Sequence, residues 1–148
     1  MRLLVDTNIL VRLIHLAAPM HGPTSQAVAR PFLDGGTLCI TPQNLDEYWV
    51  VSTRPTAANG LGRTPSEALA DIEQFKSVFP LLDDVAAIYA MWEEIVASTP
   101  VIEEKAHDAR LVAAVIVHGV DRILTLNPQD FRAYPDIQVV TPGDVLAP

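Results

Sequence analysis

Arg2-Leu3-Leu4-Val5-Asp6-Thr7-Asn8-Ile9-Leu10 reads as a short buried strand that runs into a helix through a carboxylate. A strand ending in an acid aims that charge into the crevice where α/β sheets bind ligands. Three later acids fall in comparable settings: Glu47 in Asn44-Leu45-Asp46-Glu47-Tyr48, Asp108 in His107-Asp108-Ala109-Arg110, and Asp130 in Asn127-Pro128-Gln129-Asp130-Phe131. Gathered together they describe a hard-cation site, because carboxylates at close range repel one another and lose hydration unless a cation neutralises them.

Working outward, the pattern alternates. Strands are expected at Arg2–Val5, Leu38–Ile40, Arg122–Leu126 and Ile137–Val140, each short, apolar or β-branched and bounded by turn residues. Helices are expected over Asn8–Leu16, Pro23–Leu33, Pro42–Thr53, Pro65–Val78, Asp84–Ala97 and Ala106–His118, three of them with proline in the first turn. Ala57 to Arg63 reads as a loop. Alternation of this kind is an α/β signature, and 148 residues at 49% hydrophobic content suit one domain with a real core. The longest wholly apolar run, Leu111 to Val117, is far too short for a membrane span, so a soluble, cytoplasmic protein is expected. The single Cys39, inside Leu38-Cys39-Ile40, reads as a buried structural thiol.

A net charge of −8 argues against a nucleic-acid enzyme until its distribution is considered. Between Thr64 and Glu104 nine acids face one base, Lys76, and this segment carries the whole excess. The remainder is balanced and contains all eight arginines together with the four acids above, so a cation bound there leaves its surroundings net positive.

Each acid also has a plainer reading. Asp6 can serve only as the cap of the helix that follows, Asp108 as a charge favoured at a helix N-terminus, and Asp130 as a turn residue above a packed Phe131. Asp46 competes with Glu47. His15, His21, His107 and His118 show no ligand spacing, and Trp49, Trp92, Tyr48 and Tyr89 read as core or subunit contacts.

In this order, Asp6-Thr7-Asn8-Ile9-Leu10, the Glu47 helix ending Ser52-Thr53-Arg54-Pro55, His107-Asp108-Ala109-Arg110-Leu111-Val112-Ala113-Ala114 and Leu124-Thr125-Leu126-Asn127-Pro128-Gln129-Asp130-Phe131 resemble the four motif blocks of the PIN domain family, and within it the VapC-type toxin ribonucleases. The resemblance spans nearly the whole chain. It implies a three-layer α/β sandwich with a central parallel sheet, a magnesium- or manganese-dependent endoribonuclease acting on RNA, and a protein antitoxin as partner. A homodimer is expected. Asp6 and Asp108 would be direct metal ligands, Glu47 a ligand directly or through water, and Asp130 the support of a second position. Thr7, Asn8, Thr125 and Asn127 would orient carboxylates, water or phosphate, with Arg12, Arg54 and Arg110 as phosphate clamps. An all-oxygen donor set suits a hard divalent ion and not zinc. Many relatives carry aspartate where this chain has Asn127, whose amide cannot supply a carboxylate's charge. The second metal position is therefore expected to be the weaker one, and a catalytically silent PIN-like module binding RNA or a protein is the alternative reading.

Overall fold

The computed structural model describes residues 1–148. Four strands, β1 (Arg2–Val5), β2 (Thr37–Cys39), β3 (Arg122–Leu124) and β4 (Gln138–Val140), form one fully parallel sheet in the order β2-β1-β3-β4. Seven helices connect and cover them: α1 (Thr7–Ile14), α2 (His21–Leu33), α3 (Pro42–Thr53), α4 (Pro65–Val78), α5 (Ala86–Ser98), α6 (Lys105–His118) and α7 (Pro142–Leu146). This is the expected α/β sandwich. No helix is long and apolar enough to cross a membrane.

Period-two alternation along the strands divides the core between the two faces of the sheet. Leu3, Val5, Leu38, Ile40 and Leu124 pack with Ile9, Leu10, Val28, Tyr48 and Phe75 from α1 to α4, and with Phe79 at the C-terminal cap of α4. Leu4, Cys39 and Ile123 point the other way, into a layer made with Ile88, Ile95 and the α6 run Ala109 to Val115. Parallel strands covered on both faces require such continuous apolar runs. Cys39 is buried as expected, its thiol donating to the Leu3 carbonyl at 3.2 Å and its pKa pushed up to about 11 by burial.

Element bounds shift for local reasons. The third strand stops at Leu124, short of the expected Leu126, because the Leu126 N–H is taken by the Asn8 Oδ1 at 3.1 Å instead of a neighbouring strand. The Ala57 to Arg63 segment is more ordered than a loop: a 3₁₀ turn over Thr56–Ala58 leads into backbone bonds that lay it along the end of α3, with Leu61 N on Val51 O and Arg63 N on Ser52 O. A Cβ on Gly60 would come within 2.0 Å of the Arg54 carbonyl oxygen, so only glycine fits. The expectations contain no helix at Pro142–Leu146. It starts at Thr141, whose hydroxyl accepts from the Asp144 N–H in a capping box.

Candidate active site

The order β2-β1-β3 places a switch point between β1 and β3, since the chain leaves β1 toward one side for β2 and returns on the other for β3. The crevice at the carboxyl ends of those two strands is where open α/β sheets hold ligands. Val5 pairs with Leu124, so the next residues, Asp6 and Thr125, meet across the switch point.

Asp6 caps α1 and also bonds across the switch point. Its Oδ1 accepts the Thr7 N–H at 2.7 Å at the head of α1, and its Oδ2 accepts the Thr125 hydroxyl at 2.7 Å and the Asn8 amide at 3.3 Å. Burial nonetheless raises its pKa, with those bonds pulling down and the charge of Asp130 pushing up. Thr125 is fully buried, and its one hydroxyl also accepts from Asn8 Nδ2 at 3.1 Å and from Asn127 N at 3.0 Å. Donor and both acceptor positions are thereby used.

Glu47 enters from α3, where its neighbour Asp46 is exposed and Glu47 half-buried. Its Oε1 accepts the Thr7 hydroxyl at 3.2 Å and the Gln43 amide at 3.4 Å. Behind Thr7, the buried Asn44 donates from Nδ2 to the same hydroxyl at 3.2 Å, while its Oδ1 accepts the Thr41 N–H that opens α3. Burial raises the Glu47 pKa, the Thr7 bond lowers it, and the charges of Asp6 and Asp108 raise it further. From the next position on α3 the buried Tyr48 donates to Asp71 Oδ2 at 2.6 Å, and Arg63 grips Asp71 through Nε and Nη2 at 2.7 and 2.6 Å. That network fixes α3 against α4.

Asp108 lies in the first turn of α6 and Asp130 in the 3₁₀ turn Pro128–Phe131 that follows β3. Asp108 is pushed up to about pH 6, by burial first and then by the charge of Asp130. Lys105 joins the two: its Nζ stands 2.8 Å from Asp130 Oδ1 and 3.5 Å from Asp108 Oδ2. Phe131 packs beneath as a buried core residue.

The four acids thus share one crevice and sense one another's charge. No three of the protein's carboxylate, imidazole and thiol groups close to metal-ligand spacing, because each acid is held by its own partner: Asp6 by Thr7 and Thr125, Glu47 by Thr7, Asp108 and Asp130 by Lys105. The donor set is nonetheless all oxygen, partly desolvated and negative, which fits a hard divalent cation. The arginines are less convergent. Arg110 pairs with Asp84 at 2.9 Å, away from the four acids; Arg12 lines an open cavity of about 490 Å³ with His15, Asn59 and Gly60; and Arg54 ends α3 on the surface. The guanidinium of Arg110, a candidate phosphate clamp, has a carboxylate partner of its own.

A PIN domain family model matches residues 3–137. This chain belongs to the PIN domain family. Ribonuclease VapC48 of Mycobacterium tuberculosis is 31% identical to it over 142 residues, which cover 93% of this chain and 94% of that protein. In fold the PIN protein is similar to VapBC2 from Rickettsia felis, solved bound to a DNA fragment from its promoter, with TM-score 0.69, 16% identity and coverage of 95% and 98% of the two chains. It is also similar to a toxin–antitoxin complex from Klebsiella pneumoniae, at TM-score 0.63 and 21% identity, covering 94% and 96%.

Three contributors escaped the sequence reading. Lys105 stands three residues before Asp108 on a helix, a spacing that signals contact with Asp108 but says nothing of Asp130. Gln43 precedes Glu47 by one turn, and its amide also reaches the His107 carbonyl at 2.8 Å, linking α3 to α6. Asn44 carries the Thr-x-x-Asn capping pattern with Thr41, which locates a helix start but not its second bond to Thr7.

Proposed function

We propose that this PIN protein is a magnesium- or manganese-dependent endoribonuclease, the toxin of a toxin–antitoxin pair. The observation that carries the reading is the delivery of Asp6, Glu47, Asp108 and Asp130 to one crevice at the carboxyl ends of β1 and β3, where burial first, and then the charge of neighbouring acids, raises the pKa of Asp6, Glu47 and Asp108. Likeness to Ribonuclease VapC48 supports RNA as the substrate, and the fold shared with a toxin–antitoxin complex supports a protein antitoxin as partner.

Asp6, Glu47 and Asp108 would hold the ion, with Asp130 at the position of a second one; when bound, the ion supplies positive charge to the scissile phosphodiester and to an attacking water. The chain's own residues do the positioning. Thr7 and Thr125 donate hydroxyl hydrogens to one oxygen each of Glu47 and Asp6, which orients both carboxylates, and the Oε2 of Glu47 carries no protein hydrogen bond. Asn8 holds both Asp6 and the backbone after β3, so the two strand ends keep a fixed separation. Asn127, exposed just after β3, would meet phosphate. The arginine-bearing surface receives the polyanion, while the acidic segment from Thr64 to Glu104 repels it.

Incubation with structured RNA tests this. Cleavage that requires magnesium or manganese, stops with a chelator and is absent from Asp6→Asn supports the reading; a chain that binds RNA without cutting it under any divalent ion supports the silent module instead.

A further inference from the structure

The four acids are held by two different kinds of partner. Asp6 and Glu47 accept only neutral donors, from Thr7, Asn8, Gln43 and Thr125. Asp108 and Asp130 are bridged by an ammonium group, Lys105 Nζ, at 3.5 and 2.8 Å. The bridge spans 25 residues of sequence and ties the start of α6 to the turn after β3. At the same end of β3 stands Asn127, an amide that carries no charge.

Resting on the metal-dependent reading above, we propose that Lys105 is the built-in cation at Asp130, in the place of a second divalent ion, so that the protein takes one ion, at Asp6, Glu47 and Asp108, and excludes a second. An ammonium at hydrogen-bond distance from Asp130 occupies the place where that carboxylate would meet a metal and repels any divalent ion brought to the same oxygens. Lysine is suited to this because its charge is compact and its stem flexible, so one amine reaches two carboxylates on separate elements. About half of its side chain is exposed, which keeps the amine in contact with solvent and leaves its loss tolerable to the fold. The neutral Asn127 complements it: a carboxylate there would add negative charge at the end of β3 and favour a second ion.

Calorimetric titration of the full-length protein with manganese chloride at pH 7.5 reads the stoichiometry directly, without RNA or turnover. The wild type is expected to take one ion per chain. Lys105→Met and Lys105→Gln, checked for fold by circular dichroism, are expected to take two, and Lys105→Arg one. Two ions on the wild type, or no gain in either neutral variant, overturns the role of Lys105 while leaving the metal-dependent reading intact. Absence of bound manganese from wild type and variants alike overturns both.

Discussion

The Thr125 hydroxyl donates to Asp6 Oδ2 at 2.7 Å across 119 residues of sequence, and this bond locks the first and third strands together at the point where the crevice opens. It serves structure and site at once. Thr125→Val removes the donor to Asp6 and the acceptor used by Asn8 and Asn127, so a loss of roughly 1–3 kcal/mol in urea denaturation is expected. Thr125→Ser restores the hydroxyl and is expected to recover most of that loss; a valine variant as stable as the wild type would show the bond to be incidental.

Asp6→Asn and Asp108→Asn are each expected to abolish divalent-dependent RNA cleavage without unfolding the chain. Asparagine still caps a helix as well as aspartate does, and Asp108 is held above its ordinary carboxylate range by burial and by Asp130. Metal-free thermal melts of the Asp108 variant should therefore equal or exceed the wild type. Wild-type cleavage rates from both variants would place the chemistry elsewhere.

Asp108 keeps its proton up to about pH 6 when folded, against a model-peptide value of 3.8. Between those values the folded state binds more protons than the unfolded one, so this group's contribution to stability is present at low pH and is lost as pH rises toward 6. Manganese competes with that proton. Its affinity is expected to fall about tenfold between pH 7 and pH 5 through this one group, and Asp108→Asn should flatten the stability slope in the same window.

The buried Tyr48–Asp71–Arg63 network predicts a stability effect remote from the crevice. Asp71→Ala strands the Tyr48 hydroxyl and removes the partner of a partly buried guanidinium, at an expected cost of about 2–4 kcal/mol in chemical denaturation. Tyr48→Phe should cost about 1–2 kcal/mol. A double variant whose cost is the sum of the two would show that the groups act separately.

Elements with a strong local signal were legible in the sequence. The apolar run of β1 gives its bounds to the residue, and proline in the first turn gives the starts of α3 and α4, whose capping threonines, Thr41 and Thr64, the structure adds. The short strands β2 and β4 and the end of β3 were displaced by one or two residues, because a side chain such as Asn8 can take over a backbone partner from a distance. In the site, residues that end strands or open helices were visible by position. The partners that orient them were not: Thr125 meets Asp6, Lys105 meets Asp130 and Asn44 meets Thr7 only once the sheet is assembled. Pairings between distant segments leave no period in the sequence.

The place of β1 between β2 and β3 also sets when the crevice can exist during synthesis. A nascent chain that has not yet released Arg122 from the ribosome can pair β1 with β2 and dock α1 to α4. It still lacks the neighbour on the other side of β1, the Thr125 hydroxyl that fixes Asp6, and Asp130 itself. Non-local strand pairing is the late event in such a topology. A partly made polypeptide therefore carries Asp6, Glu47 and Asp108 but not the finished crevice, which forms only once β3 and the Asp130 turn have emerged.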